Sequence, residues 1–298
     1  MQNVLTLIAA DNGHTLEPTS VELACQALVA YGTSVGAADW LAPAIACDLP
    51  FEGPTPAKMQ PPVTAALAGT PVDVVIQPVQ NRRKKLLLAD MDSTIVTSET
   101  LDELAAQANL KEEIAAITQR AMLGEIAFDD ALRERIAMLK GLPISALEAT
   151  VENIAVSPGA RVLVNTMREN GAYTALVSGG FTYFSERIAE RVGFDTHHGN
   201  ELEFSAGALT GKVKEPVFGR DGKLATLLAL AAERDIPLAL TLAVGDGAND
   251  LPMLQAAGLG IAYRAKPIAA EGAAVRIDHS SLEALLYLQG YRRDEFAA

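Results

Sequence analysis

The sequence is poor in cysteine and in positive charge, and each shortage argues against a class of protein. Only Cys25 and Cys47 are present, both in apolar surroundings, which disfavours a disulfide framework and indicates reduced thiols. Lysine and arginine number 24 against 37 acidic residues, and the net charge of -13 argues against nucleic acid and anionic membranes as partners. No apolar stretch is long enough to cross a bilayer, and Met1 to Leu5 lack the pattern of a secretory signal. We therefore expect a soluble, cytoplasmic protein.

A chain of 298 residues is long for a single core, so we expect two domains. Residues 1–80 predict an α+β domain with the element order strand, helix, strand, strand, helix, strand. This order resembles ACT-like domains, but many ferredoxin-like modules share it, and a packing or dimerisation domain without a ligand fits as well. We place the boundary at the basic run from Asn81 to Lys85, interpreted as a solvated linker, with the second domain over 81–298.

A short apolar run, Leu86 to Ala89, predicts a buried parallel strand, and Asp90 and Asp92 follow at its carboxyl end. Ligands bind at that end of the strands in open α/β sheets. In a regular strand the two carboxylates would share one face, where a divalent cation such as Mg²⁺ would relieve their repulsion. The alternative is an ordinary turn in which Asp and Ser cap the backbone.

The segment 98–153 has helical apolar spacing and predicts about four short helices directly after this strand. A helical insertion at that position predicts a cap that closes the pocket from water.

Two further segments suggest phosphate binding. Ser178 and Gly179 follow a predicted strand and precede a helix, an arrangement that can hold an anion, although most such turns are only tight. Lys223 lies in the first turn of a predicted helix, where a cation opposes the helix dipole. A phosphate partner would explain that position, and an exposed lysine is the alternative.

A second acidic loop follows the predicted strand Leu238 to Val244. It carries Asp246, Asn249 and Asp250, which are poor core residues but good oxygen ligands for a divalent cation. Lys266-Pro267, further along the chain, is interpreted as a turn.

These motifs, in this order, resemble the haloacid dehalogenase superfamily of phosphatases, and within it the members that act on phosphoserine. The match extends through most of residues 85–285. The resemblance implies a three-layer α/β core with a mostly parallel sheet and Mg²⁺-dependent hydrolysis of O-phospho-L-serine to L-serine and phosphate, the last step of serine biosynthesis.

The resemblance also implies roles for particular residues. Asp90 would be the nucleophile and Asp92 the general acid and base, while Asp90, Asp246 and the backbone carbonyl of Asp92 would hold Mg²⁺. The phosphate would contact Ser178, Gly179 and Lys223, with Asp250 and Asn249 in support. Glu99 would bind the substrate ammonium and Arg135 its carboxylate, with Met122 and Phe128 as an apolar wall. Alternatively, Glu99 is only a carboxylate at a helix start, where the helix dipole favours negative charge, and Arg135 pairs with Glu134 or Asp130 on an exposed face.

Other functions remain open at this point. The same core could serve a phosphotransferase or a phosphatase for another small phosphomonoester, and a non-catalytic amino-acid or phosphate sensor is a third possibility. Asp90 is followed by Met-Asp-Ser-Thr rather than by the Lys-Thr-Gly-Thr of P-type ATPases. The expected partner is a small-molecule substrate, and the N-terminal domain could form a homodimer.

Overall fold

A computed structural model describes residues 1–11, 13–122 and 125–297, apart from the side chains of 121 and 122. The N-terminal part forms an antiparallel sheet in the order β2-β4-β1-β5, with β3 paired to β4. Its elements are β1 (Asn3–Ala9), α1 (Pro18–Ala30), β2 (Ser34–Val35), β3 (Asp39–Ala42), β4 (Ala46–Glu52), α2 (Pro56–Ala66) and β5 (Val72–Pro78). This arrangement is compatible with a ferredoxin-like module, and its interpretation as ACT-like stays a prediction.

Every residue of β1 is buried, because both faces of the N-terminal sheet are covered. Leu5 and Leu7 point towards the two helices and form a small core of their own. Ile8, on the opposite face, joins the larger core of the second domain. One face of this sheet is therefore occupied by the rest of the same chain.

The second sheet has six parallel strands among the described residues, in the order β13-β12-β11-β6-β7-β8. The elements are β6 (Leu86–Asp90), α3 (Thr100–Gln107), α4 (Lys111–Met122), α5 (Phe128–Met138), α6 (Ile144–Asn153), α7 (Ala160–Glu169), β7 (Tyr173–Phe181), α8 (Thr182–Val192), β8 (Thr196–Asn200), β9 (Leu202–Ser205), β10 (Ala208–Val213), α9 (Arg220–Glu233), β11 (Thr241–Gly245), α10 (Leu251–Ala256), β12 (Leu259–Tyr263), α11 (Pro267–Gly272), β13 (Val275–Ile277) and α12 (Ala284–Leu288).

The central strand β6 shows why its sequence is an unbroken apolar run. Leu87 and Ala89 belong to the core on one face of the sheet, whereas Leu86 and Leu88 belong to the core on the other. A strand that is buried on both faces has no polar alternation. Helices α3 to α6 form the insertion that follows β6, and α5 packs against the antiparallel hairpin β9–β10. Each described helix is too short or too polar to span a bilayer.

The basic run after residue 80 is only partly the solvated linker that we predicted, because Asn81, Arg83 and Lys85 are exposed but Arg82 and Lys84 are not. Arg82 is largely buried and forms an ion pair with Asp48, with Nη1 2.6 Å from Oδ2 and Nη2 3.2 Å from Oδ1. Arg82 also donates from Nε to the carbonyl of Leu288 at 3.1 Å. Lys84 is buried as well and donates to the carbonyl of Ala239 at 2.8 Å. The composition of the run predicted exposed side chains, but Asp48 of the first sheet and the carbonyls of Leu288 and Ala239 give Arg82 and Lys84 acceptors.

Candidate active site

The two acidic loops meet because their strands are neighbours. Strands β6 and β11 run parallel with Ala89 opposite Val244, so Asp90 at the end of β6 lies beside Asp246 just after β11. Both aspartates are almost completely buried. Sequence spacing alone does not determine this register, and strand pairing creates the cluster.

Asp90 is held by a main-chain donor and by a lysine. Its Oδ1 accepts a hydrogen bond from the amide of Met91 at 2.8 Å and lies 2.6 Å from Nζ of Lys223. Burial and the nearby carboxylate of Asp250 raise the pKa of Asp90 well above its ordinary value, and Lys223 opposes that rise. The carboxylate depends on the buried cation to stay ionised.

Lys223 is fully buried and joins the two acidic loops. Besides Asp90, its Nζ contacts Oδ1 of Asp250 at 2.7 Å. Burial favours the neutral amine, but Asp250 and Asp90 outweigh it and raise the pKa of Lys223 above its ordinary value. The other oxygen of Asp250 accepts from the amides of Asp246 and Gly247 at 3.1 and 2.9 Å. Asp250 thus orients the lysine and shapes its own loop.

Asp92 is not on the regular strand face that we expected. Strand β6 ends at Asp90, and Asp92 lies in the following turn, where Ser93 has a positive φ of 56°. Asp92 Oδ1 accepts from the amide of Thr100 at 2.7 Å, and its Oδ2 accepts from the hydroxyl of Ser178 at 2.9 Å. Burial and the nearby Glu99 raise the pKa of Asp92, which favours its protonated form.

Strand β7 continues through Ser178 and Gly179 to Phe181, so α8 begins at Thr182. Ser178 and Gly179 therefore precede the helix as predicted, but they lie within the strand rather than after it. A Cβ at residue 180 would lie 3.0 Å from Ser178 Oγ and 3.2 Å from Asp92 Oδ2. Glycine at this position leaves room for the two polar groups beside the cleft.

The cluster suits a hard divalent cation. One carboxylate oxygen each from Asp90, Asp246 and Asp250 lies within 4.8 Å of the others. Oxygen donors are the ligands that Mg²⁺ prefers. Asp250 is already occupied by Lys223 and two amides, so Asp90 and Asp246 are the carboxylates better placed to accept a metal. Burial raises the pKa of Asp246 to about 6, and the nearby Lys266 opposes that rise.

Glu99 and Arg135 line the same cleft as the aspartates. Glu99 Oε1 accepts from the hydroxyl of Ser93 at 2.9 Å. Arg135 donates from Nε to the carbonyl of Ala131 at 3.1 Å and from Nη1 to the hydroxyl of Thr118 at 3.2 Å. Its Nη2 has no acceptor in the described part of the chain. The predicted alternative, in which Arg135 pairs with acidic neighbours on a wet face, does not describe these contacts.

The remaining predicted residues surround this cleft, with one exception. Phe128, Gly179 and Asn249 are part of its wall. A Cβ at residue 179 would lie 3.2 Å from the ring of Phe128, so the missing side chain allows α5 to approach β7 closely. The side chain of Met122 lies outside the described residues.

Lys266 is the residue that sequence analysis missed. Its Nζ lies 3.1 Å from Asp246 Oδ2 and 3.1 Å from Glu99 Oε1. Lys266 follows the carboxyl end of β12, the same kind of position that singled out Asp90 at the end of β6 and Asp246 after β11. A following proline suggested only a turn.

Comparison with known proteins gives a family match over residues 87–255, to haloacid dehalogenase-like hydrolase. The chain is 47% identical over 185 residues to a phosphoserine phosphatase of Streptococcus thermophilus, covering 62% of this chain and 86% of the relative. It is 39% identical over 234 residues to a phosphoserine phosphatase of Streptomyces coelicolor, covering 78% of this chain and 57% of the relative. The chain spans about 57% to 59% of the length of the first curated relatives that it matches.

A crystal structure of a HAD-family hydrolase from Salmonella enterica resembles the whole chain. It is 30% identical with a TM-score of 0.85, and the match covers 96% of this chain and 98% of that one. The similarity therefore includes the N-terminal sheet as well as the six-stranded core. Together with the family match, it confirms the predicted α/β fold class.

Proposed function

Because this chain belongs to the haloacid dehalogenase-like hydrolase family, we propose that it hydrolyses O-phospho-L-serine to L-serine and phosphate in the presence of Mg²⁺. One observation carries the proposal. A single cleft is lined by the Asp90 carboxylate, which is paired with a buried lysine, and by a further carboxylate and a guanidinium, those of Glu99 and Arg135. Phosphoserine has a phosphate at one end and an ammonium and a carboxylate at the other, so its charges match those of the cleft.

The charge balance of the cleft supports a divalent cation. Five carboxylates, from Asp90, Asp92, Glu99, Asp246 and Asp250, face three cations, from Arg135, Lys223 and Lys266. Asp90, Asp246 and the backbone carbonyl of Asp92 would hold Mg²⁺. When bound, the ion would offset negative charge between the nucleophile and the phosphoryl group.

The reaction proceeds in two steps on the residues of the chain. Asp90 attacks phosphorus, the bond to the serine oxygen breaks, and Asp92 gives its proton to that oxygen. Asp92 then removes a proton from a water molecule, which attacks the aspartyl-phosphate and restores Asp90. The raised pKa of Asp92 supports this role, because the acid must hold a proton in the first step.

Ser178 and Lys223 support the phosphoryl end. The Ser178 hydroxyl now donates to Asp92, and protonation of that carboxyl frees the hydroxyl to donate to a phosphoryl oxygen. Lys223 cannot leave its buried position between two carboxylates, so it neutralises charge at the nucleophile throughout the reaction.

The test compares phosphate release from esters that each lack one recognition group. Phosphoethanolamine lacks the carboxylate and 3-phosphoglycerate lacks the ammonium. We expect Arg135→Met to lower kcat/KM for phosphoserine by about 10- to 100-fold and to change phosphoethanolamine hydrolysis little, because the latter never used the guanidinium. Glu99→Gln should likewise lower kcat/KM for phosphoserine but change hydrolysis of 3-phosphoglycerate little, because that ester has no ammonium for Glu99 to bind.

Arg133→Met is a matched control, since Arg133 lies on the same helix but pairs with Glu215 and Asp130 at the surface. Asp90→Asn should abolish turnover of every ester, and omission of Mg²⁺ should do so as well. If another ester is the better substrate while Asp90 stays essential, the phosphatase chemistry stands and the phosphoserine assignment fails. That outcome would favour the alternative of a phosphatase or phosphotransferase for another monoester.

Two further expectations are proposals as well. We propose a cytoplasmic location, in keeping with two free thiols. We also propose that any homodimer formed through the N-terminal domain uses its helical side. The opposite face of that sheet packs on the core of the same chain, whereas Leu23 and Val29 of α1 are exposed.

A further inference from the structure

Lys266 reaches the cleft because of where its strand ends. Strand β12 pairs with β11 on the side away from β6, so the chain leaving β12 passes the loop of Asp246. The amide of Lys266 donates to the carbonyl of Asp246 at 2.9 Å, and α11 begins at the next residue. The backbone of Lys266 is thereby fixed beside the acidic cluster, whatever its side chain does.

The side chain bridges two carboxylates that have different proposed tasks. Nζ lies 3.1 Å from Asp246, a proposed metal ligand, and 3.1 Å from Glu99, the proposed partner of the substrate ammonium. Mg²⁺ would need the Asp246 oxygen that Lys266 contacts, and the substrate ammonium would need the Glu99 oxygen. A lysine ammonium and the ammonium of serine are chemically alike, so they compete for the same oxygens of Glu99.

The two lysines of the site differ in their freedom to move. The side chain of Lys223 has no exposed surface, whereas that of Lys266 is 46% exposed. A half-exposed lysine with a flexible four-carbon stem can move into water at small cost. Lys266 therefore has the properties of an exchangeable partner, and Lys223 those of a permanent one.

We propose that Lys266 is a resident counter-cation, which Mg²⁺ displaces from Asp246 and which the substrate ammonium displaces from Glu99. The inference rests on the proposed function, since it takes the metal and the amino acid from there. Lys266 neutralises the cleft while both ligands are absent, and it limits the affinity for each of them. Removal of its charge should strengthen the binding of both cationic groups and destabilise the ligand-free protein.

The first experiment titrates Mg²⁺ into wild type and Lys266→Met by calorimetry, without substrate. We expect the variant to bind Mg²⁺ about two- to fivefold more tightly, the range for loss of a competing, partly exposed ion pair. Lys266→Arg keeps the charge and should stay near wild type. Lys214→Met removes the lysine of a surface pair with Glu201 and controls for the change in net charge.

The second experiment measures thermal unfolding of the same four proteins in EDTA and in saturating Mg²⁺. Lys266→Met should unfold at a lower temperature than wild type in EDTA, and this deficit should shrink or reverse in Mg²⁺ because the metal then supplies the missing positive charge. A merely structural lysine would give the same deficit in both conditions. L-Serine should also bind Lys266→Met more tightly than wild type.

Three results would overturn the proposal. These are equal or weaker Mg²⁺ binding by Lys266→Met, a stability deficit that Mg²⁺ does not change, and tightening by Lys266→Arg as large as that by Lys266→Met. The proposed function fails separately, if wild type does not hydrolyse phosphoserine. The Mg²⁺ titration uses no substrate, so it decides the role of Lys266 at Asp246 in either case.

Discussion

Removal of the buried cation of the site should destabilise the protein in a way that depends on pH. Lys223 has no exposed surface and lies 2.6 Å from Asp90 and 2.7 Å from Asp250. In Lys223→Met the side chain keeps a similar length but loses its charge. Two buried carboxylates then face each other, and among the described residues no other cation contacts either of them.

The size of the loss follows from how the folded variant can relieve this repulsion. Protonating one carboxyl group, with an ordinary pKa near 3.9, costs about 4 kcal/mol at pH 7 and about 1.5 kcal/mol at pH 5. Breaking a buried ion pair costs about 3–5 kcal/mol in general, which agrees with the value at pH 7. We therefore expect a loss of about 4 kcal/mol in the free energy of unfolding at pH 7.

The sign of the pH dependence follows from proton linkage. Burial already raises the pKa of Asp90 in wild type, and removal of Lys223 raises it further. The folded variant then binds a proton that the unfolded chain has released, so its stability falls as the pH rises above the ordinary pKa of the carboxyl group. The deficit relative to wild type should accordingly be smaller at pH 5.

Urea unfolding in EDTA, monitored by circular dichroism at pH 5 and pH 7, measures the loss in the free energy of unfolding and its dependence on pH. Lys214→Met, which loses a surface lysine, should stay within about 1 kcal/mol of wild type at both values. A loss below about 1 kcal/mol for Lys223→Met at pH 7, or an equal loss at pH 5 and pH 7, would refute the reasoning. Either result would mean that the two carboxylates are solvated in the folded protein.

Two further predictions concern the contact between domains and the metal. Arg82→Ala should lower the free energy of unfolding by about 3–5 kcal/mol, because Asp48 stays buried without its partner. Arg83→Ala next to it removes a partly exposed ion pair with Glu295 and a cation–π contact with the Tyr291 ring, and should cost only about 1–2 kcal/mol. Equal losses in urea unfolding would contradict this assignment. Mg²⁺ affinity, measured by calorimetry from pH 5 to 8, should rise with pH until about 6 and then level off, because the pKa of Asp246 is raised to about 6 and only its ionised form binds a cation. A flat profile would exclude Asp246 as a ligand.

The local sequence pattern was sufficient to predict a strand or helix, and the functional residues at its end, where both lie in one short segment of the chain. The apolar run before Asp90 predicted a strand that is buried on both faces, and the structure contains it as β6. The loop from Asp246 to Asp250 was predicted at a strand end by the same argument, and it follows β11. Helical spacing located the insertion over 98–153, whose described helices run from Thr100 to Asn153. In these cases the type of each residue and the spacing of the apolar residues determine the local structure within a few positions along the chain.

Side-chain environment could not be predicted in the same way. Arg82 and Lys84 belong to a basic run that composition assigns to solvent, yet both are buried, because their partners Asp48 and Ala239 come from distant parts of the chain. Asp92 was expected beside Asp90 on a strand face, but the strand ends at Asp90, two residues earlier, and the Asp92 carboxylate contacts Ser178 instead.

The sequence by itself determined the fold class, the order of the elements and the residues available for chemistry at strand ends. Only the tertiary structure decided which of those residues meet. The pairing of β11 with β6 and β12 puts Asp246 between Asp90 and Lys266, and Glu99, the residue before α3, contacts the same lysine. The pairing of β6 with β11 and the contact of Lys266 with Glu99 both join residues more than 100 positions apart, so these charged groups meet only once the sheet has assembled.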